Sequence, residues 1–194
     1  MSSAPPPAPP PARRPRADAA RNRARIVEVA RASFTDTGQD ASLEGIARAA
    51  GVGIGTLYRH FPTREDLVAA VYDTELTSVL ATVEPLLATH TPDVALRTFM
   101  DRYAAFVVTK RGMTETLRAG AFRDAVGSAR TRERVNAAIA TILAAGAALG
   151  VLRPAVPADD VTAALVGVFL ATAGVEDQEQ VGRLLDLLVS GLRP

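Results

Sequence analysis

The sequence predicts an all-α fold, and three observations predict it. Every periodic segment downstream of the N-terminal stretch repeats its apolar positions at helical intervals. Alanine and leucine dominate these segments, while β-branched residues are scattered among them. No alternating apolar–polar run is bounded by the Gly- and Asn-containing dipeptides that mark a hairpin.

Composition narrows the reading further. The 194 residues are 48% hydrophobic, carry a formal net charge of +1 and include no cysteine or tryptophan. That length suits one large domain or two small interlocked ones. It buries roughly 70% of the unfolded surface without covalent staples. The lack of cysteine excludes disulfides, thiolate metal sites and a cysteine nucleophile. His60 and His90 are the only histidines, which excludes a multi-histidine metal cage. No metal or other cofactor is implied.

The first fifteen residues, MSSAPPPAPPPARRP, hold seven of the thirteen prolines. Residues 1–16 are therefore expected to form a disordered, extended Pro/Arg-rich tail. No apolar run follows the basic residues, so a secretory signal is not expected. The longest apolar windows, Ile142–Leu152 and Ala163–Val175, fall short of the ~18 residues of a membrane span. A soluble cytoplasmic chain without a membrane partner is the expectation.

About nine helices follow. Ala17–Thr37 carries Ile26, Ala30 and Phe34 on one stripe, and Gly38 can end it with a left-handed cap. Ser42–Ala50 and Ile54–Phe61 are short helices separated by Gly51-Val52-Gly53. Thr63 caps a long helix, with Asp66 as the acidic partner of a capping box. Pro85 and Thr91-Pro92 punctuate the chain beyond it. Further helices are expected at Pro92–Thr109, Met113–Val126, Thr131–Leu149, Asp159–Ala173 and Glu179–Leu192. His90, beside Thr91-Pro92, is expected in a loop without function.

Charge divides the chain more sharply than composition does. Residues 1–62 hold nine arginines and five acids, a charge of +4, whereas residues 63–194 carry −3. A basic head and an acidic body suggest an anionic partner for the head. Arginine outnumbers lysine 21 to 1, so genome composition is a competing source of the same bias.

The densest signal is SLEGIARAAGVGIGTLYRHF, Ser42–Phe61. Two short helices joined by a glycine-containing turn describe a helix-turn-helix, although an ordinary αα-corner has the same spacing. Ile46, Ala47, Val52 and Leu57 supply the inner faces, and Gly51 can take positive φ at the turn. Ser42 is a good N-cap, and Glu44 suits the first turn. On the outer face of the second helix, Gly53 and Gly55 allow close backbone approach. Arg59 can read guanine bidentately, and the Thr56 methyl can touch a thymine methyl. Tyr58 and His60 offer polar tips to phosphates, as does Arg64 just beyond Pro62. Arg13, Arg14 and Arg16 fit either a DNA-seeking arm or a solubilising tail.

The run GVGIGTLYRHFPTREDL, with RIVEVARASFTDTG and SLEGIARAAG before it, resembles the DNA-binding region of the TetR family of transcriptional regulators. The match is dense over about Arg21–Ala70. The resemblance implies a three-helix DNA-binding head (residues 17–62) and a helical effector-binding and dimerisation body (63–194). It places Thr56, Tyr58, Arg59 and His60 at DNA-facing positions, with Leu57 and Phe61 in the core; Ser42, Gly53, Gly55 and Arg64, from the reading of the residues above, complete the expected DNA contacts. Gly45 departs from the bulkier, often charged residue the family pattern leads one to expect there, which weakens one backbone contact but not the expected fold.

The last two helices carry the expected dimer seam. Val181, Leu184, Leu185, Leu188, Val189 and Leu192 form an apolar stripe. The preceding helix is apolar nearly all round, and Val161, Ala164, Leu165 and Val168 are expected to meet a second copy, with Gly167 and Ala171 small enough for close approach. An effector pocket is expected from Phe99, Met100, Tyr103, Phe106, Leu117, Phe122 and Phe169, with Arg118 or Arg123 for an anionic group. Plain core packing uses the same residues.

The resemblance thus implies a homodimeric, ligand-responsive repressor of a palindromic double-stranded DNA operator, controlled by a small-molecule effector of unidentified chemistry. The long Thr63-capped helix is its natural lever. Moving occupancy from 99:1 to 1:99 requires ~5.5 kcal/mol between the two states. An effector-independent DNA binder is the first alternative. An enzyme acting in the helical body is the second, but no nucleophile elbow, phosphate loop or HExxH pair occurs, so no catalytic residue is expected.

Overall fold

The computed structural model describes residues 15–37, 41–111, 129–172 and 178–194. Among the described residues the chain forms nine α-helices and no strand. They are α1 (Pro15–Thr37), α2 (Leu43–Ala49), α3 (Ile54–His60), α4 (Arg64–Leu80) and α5 (Val83–Thr89), then α6 (Pro92–Arg111), α7 (Ala129–Ala148), α8 (Ala158–Ala171) and α9 (Gln178–Gly191). The expected helix Met113–Val126 and the Gly38 cap lie outside the described residues.

Local chemistry sets the first four helices. Ile26, Ala30 and Phe34 are buried along one side of α1, together with Val27. Ser42 caps α2 by accepting the Gly45 N–H at 3.0 Å. Gly51 turns the chain at φ +63°, a conformation that costs most other residues about 1–2 kcal/mol. Thr63 caps α4, and the reciprocal bond from the Thr63 N–H to Asp66 completes the capping box. The helix α5 is not among the expected elements, where Pro85 reads as punctuation. Pro85 sits in its first turn, where a missing N–H costs no intrahelical bond. His90 ends that helix, its Nδ1 2.8 Å from Thr89 Oγ1.

Two hydrophobic cores result. The head core gathers Ile26, Phe34, Ile46, Ala47, Leu57 and Phe61 with Leu67, Val68 and Val71 of α4. The body core gathers Tyr72 and Leu76 of α4 with apolar side chains from α5 through α9. In the body, α7 packs against both α6 and α8, and α9 closes over α6 and α8. Leu152 seats directly on Gly146, where an added Cβ would come within 2.4 Å of its Cδ1. The α4 helix thus passes from one core into the other.

Candidate DNA interface and body sites

The α3 helix presents its chemistry outward while Leu57 anchors it inward, fully buried. Tyr58 is 42% exposed, and Gly53, Gly55 and Arg59 are exposed beside it. Thr56 and His60 are half-buried, the His60 ring lying 6.3 Å from that of Phe61. Arg59 Nε donates to the Gly55 carbonyl at 3.2 Å, which engages the Nε alone. A Cβ added at Gly53 or Gly55 would meet nothing within 4 Å, and neither residue has positive φ. Among the described residues nothing therefore demands glycine at either position.

Arginines from outside α3 hold this unit in place. Arg25 Nη2 donates to the Gly51 carbonyl at 3.2 Å, bridging α1 to the turn. The Arg23 guanidinium lies 5.1 Å over the ring of Phe61, the C-cap of α3. Arg64 donates to the Ala41 carbonyl and stacks 5.1 Å over Phe34, so its guanidinium is engaged within the head. Ser42 is exposed, with its oxygen occupied by the α2 cap. Arg48 is exposed near the end of α2, and sequence reasoning passed over it.

In the body, five of the expected pocket residues come together. Phe99, Met100, Tyr103, Phe106 and Phe169 are all buried. The Tyr103 ring lies 6.4 Å from Phe99, 5.7 Å from Phe106 and 5.9 Å from Phe169. Tyr72, which sequence reasoning missed, joins them 5.0 Å from Phe106. Burial pushes the hydroxyl pKa of both Tyr72 and Tyr103 above the ordinary value. Leu117, Arg118, Phe122 and Arg123 lie outside the described residues. A separate cleft of about 360 Å³ opens between α6 and α9, where Arg97 pairs with Asp186 at 2.6 Å and Arg193 with Asp93 at 2.7 Å.

The residues expected at the dimer seam divide. Val161, Leu165, Leu185 and Leu192 are buried in the protomer's own core, and Val168, Val181 and Leu188 pack partly against it. Leu184 is half-buried and Ala164 exposed. Buried side chains have no surface left to offer a second copy. On α8 and α9 the large apolar side chains that remain bare are Val166 at 39%, Leu170 at 72% and Leu187 at 68% exposure. On α8, Ala163, Val166, Gly167 and Leu170 are exposed at i, i+3, i+4 and i+7, a continuous stripe. The all-round apolarity of α8 was the available signal for it.

A basic head built on a capped helix-turn-helix, joined to a helical body, defines a DNA-binding transcriptional regulator. Comparison with known proteins gives the family. The pattern described as "Bacterial regulatory proteins, tetR family" matches residues 26–71. The pattern described as "Transcriptional regulator SbtR-like, C-terminal domain" matches residues 91–194, more than half of the chain. The TetR transcriptional regulator SCO0520 from Streptomyces coelicolor is 40% identical, with a TM-score of 0.72 over 89% of this chain and 98% of that one. A TetR regulatory protein from Mycobacterium vanbaalenii is 32% identical, with a TM-score of 0.68 over 92% and 99%. The HTH-type transcriptional regulator SAB2452 of Staphylococcus aureus is 30% identical over 107 residues, 54% of this chain. This chain spans just over half the length of that relative, 58%. The protein belongs to the TetR family of transcriptional regulators. Among the described residues no helix is long and apolar enough to cross a membrane.

Proposed function

We propose that this regulator is a cytoplasmic, ligand-responsive repressor that binds a palindromic operator as a homodimer. The observation that carries the reading is the bare apolar stripe of α8 with Leu187 of α9, in a protomer whose described residues form one helix-turn-helix, α2 and α3. A second copy covering that stripe brings two heads to bear on one duplex, and two-fold symmetry in the protein calls for an inverted repeat in the DNA. In this reading the DNA-binding head begins with α1 at Pro15, two residues before the expected boundary, and runs to residue 62; residues 63–194 are the effector-binding and dimerisation body, and the residues before α1 a tail. Ala164, Val166, Leu170, Leu184 and Leu187 form the seam.

At the DNA, Arg59 reads a base edge and Thr56 touches a thymine methyl, while Gly53 and Gly55 admit the backbone closely. The open space beside both glycines among the described residues supports this placement. Ser42, Tyr58 and His60 lie at phosphates, while Arg64, expected beside them, is held within the head by the Ala41 carbonyl and the Phe34 ring. The aromatic group around Tyr103, with Phe99, Met100, Phe106 and Phe169, borders the effector site, and an apolar effector with one polar tip suits it.

Selection of duplexes from a random pool by the full chain tests the reading. An inverted repeat is expected, with affinity falling steeply as salt rises because phosphate contacts release counterions. A single unrepeated site or a flat salt response refutes it. An apolar compound that raises the melting temperature and releases the selected duplex identifies the effector class. Operator binding indifferent to every such compound supports an effector-independent binder instead.

A further inference from the structure

The two cores meet within one helix. Leu67, Val68 and Val71 of α4 are buried in the head, and Tyr72 and Leu76, immediately after, are buried in the body. The direction in which the head leaves the body is therefore set in the middle of α4. That stretch is rich in hydroxyls that bond back along the helix. Thr74 Oγ1 donates to the Ala70 carbonyl at 2.8 Å, Thr77 Oγ1 to Asp73 at 2.7 Å and Ser78 Oγ to Thr74 at 3.0 Å. Such bonds compete for helix carbonyls and favour bending.

One side chain from the body lies across this stretch. Arg134 of α7 donates from Nη1 to Asp73 Oδ1 at 2.6 Å and from Nη2 to Thr77 Oγ1 at 2.6 Å. Asp73 and Thr77 are four residues apart, so the guanidinium fork spans a full turn of α4. The α7 backbone on either side is fixed by Thr131, Val135 and Ile139, all buried in the body. Arg134 is itself largely covered, with 27% of its side chain exposed. A helix of seventeen residues is about 25 Å long, so a tilt of about 5° at one end moves the other by roughly 2 Å. That displacement breaks hydrogen bonds to base edges.

We propose that Arg134 is a positioning residue for DNA binding. By bracing α4 against α7 it sets the angle of the head and hence the separation of the two recognition helices. The proposal rests on the homodimeric reading above. It makes Arg134 important for a site that engages both heads and unimportant for one that engages a single head. A purely structural role would not discriminate between the two.

The test uses fluorescence anisotropy on the duplex selected by the wild-type chain, the same duplex cut to one half-site, and full sites with one or two base pairs added to or removed from the spacer. Arg134→Ala is expected to bind the half-site within twofold of wild type and the full site about tenfold more weakly, with a flattened or shifted spacer optimum. Arg134→Lys keeps the charge without the fork and falls between them. Thr77→Val keeps the Asp73 contact and loses about threefold on the full site only. Equal losses on full and half sites, or no loss on either, overturn the proposal. A wild-type chain that binds both sites equally overturns the homodimeric reading and the proposal with it.

Discussion

Leu170 offers the most direct test of the dimer. It is 72% exposed in the protomer, so truncating it to alanine removes almost nothing from the fold, as for most surface substitutions. In a two-fold interface the same side chain is covered on both copies. Burying a leucine stabilises by about 1.5–3 kcal/mol relative to leaving it exposed. Alanine retains a minor part of that, so Leu170→Ala loses about 1–2 kcal/mol per copy. Counted twice, the dimer weakens by about 2–4 kcal/mol, a rise in dissociation constant of roughly 30- to 1,000-fold. Sedimentation velocity over a dilution series reads this directly, and circular dichroism confirms that the protomer still folds. Leu149, 68% exposed in the turn after α7 and not on the α8 face, is the control. A dissociation constant for Leu170→Ala within threefold of wild type refutes the assigned face, and so does an equal rise for Leu149→Ala.

Three further outcomes follow from the head and the body core. Arg59→Ala should cost ~1–3 kcal/mol on the selected operator and relax the preference at one base pair; an equal loss on nonspecific DNA makes Arg59 a phosphate anchor instead. Gly51→Ala should destabilise the protein by about 1 kcal/mol in urea unfolding, since φ +63° strains a Cβ-bearing residue and the new Cβ would sit 3.0 Å from Arg25 Nη2. Unchanged stability would mean the turn relaxes. Because burial raises the Tyr72 pKa in the folded state, the unfolded chain ionises first as pH climbs past about 10. Stability is then constant below that pH and falls above it by up to about 1.4 kcal/mol per pH unit, in the same direction as for Tyr103. Tyr72→Phe should flatten the fall between pH 10 and 11.5, and an unaltered slope would count against the assignment.

What could be read in the sequence was what a few neighbouring residues decide. The Ser42 cap, the Gly51 turn and the Thr63–Asp66 box each act within a few residues, so composition and spacing reveal them. Pro85 misled because a proline signals both a break and a first helical turn, and only position within α5 separates the two. The leucines of α9 were ambiguous for a different reason. Leu185 and Leu188 face the protomer's core and Leu187 faces away, so the helix is apolar on both sides and periodicity alone does not assign a partner to either. Arg134 was invisible altogether: it meets Asp73 across 61 residues of sequence, and nothing local to either one announces the pair.

The head's positive charge also needs to be divided before it is credited to DNA. Arg21 and Arg31 pair with Asp18 and Glu28 along α1, Arg23 covers Phe61, Arg25 holds the turn at Gly51 and Arg64 lies on Phe34. A guanidinium stacked on a ring keeps its charge, so these residues still contribute to the field that draws a polyanion in. They are committed to internal contacts, however, and do not release a counterion in the way a phosphate-bound arginine does. Arg48 and Arg59 remain exposed on α2 and α3. Alanine substitutions should therefore fall into two classes. Arg25→Ala and Arg64→Ala should lower the urea midpoint and leave the salt slope of DNA binding unchanged. Arg48→Ala should leave the midpoint alone and reduce the slope by about 0.9, the value of one phosphate contact. If Arg25→Ala reduces the slope by that amount, its bond to Gly51 gives way to a phosphate in the complex, and the arginine is a DNA ligand rather than a tie within the head.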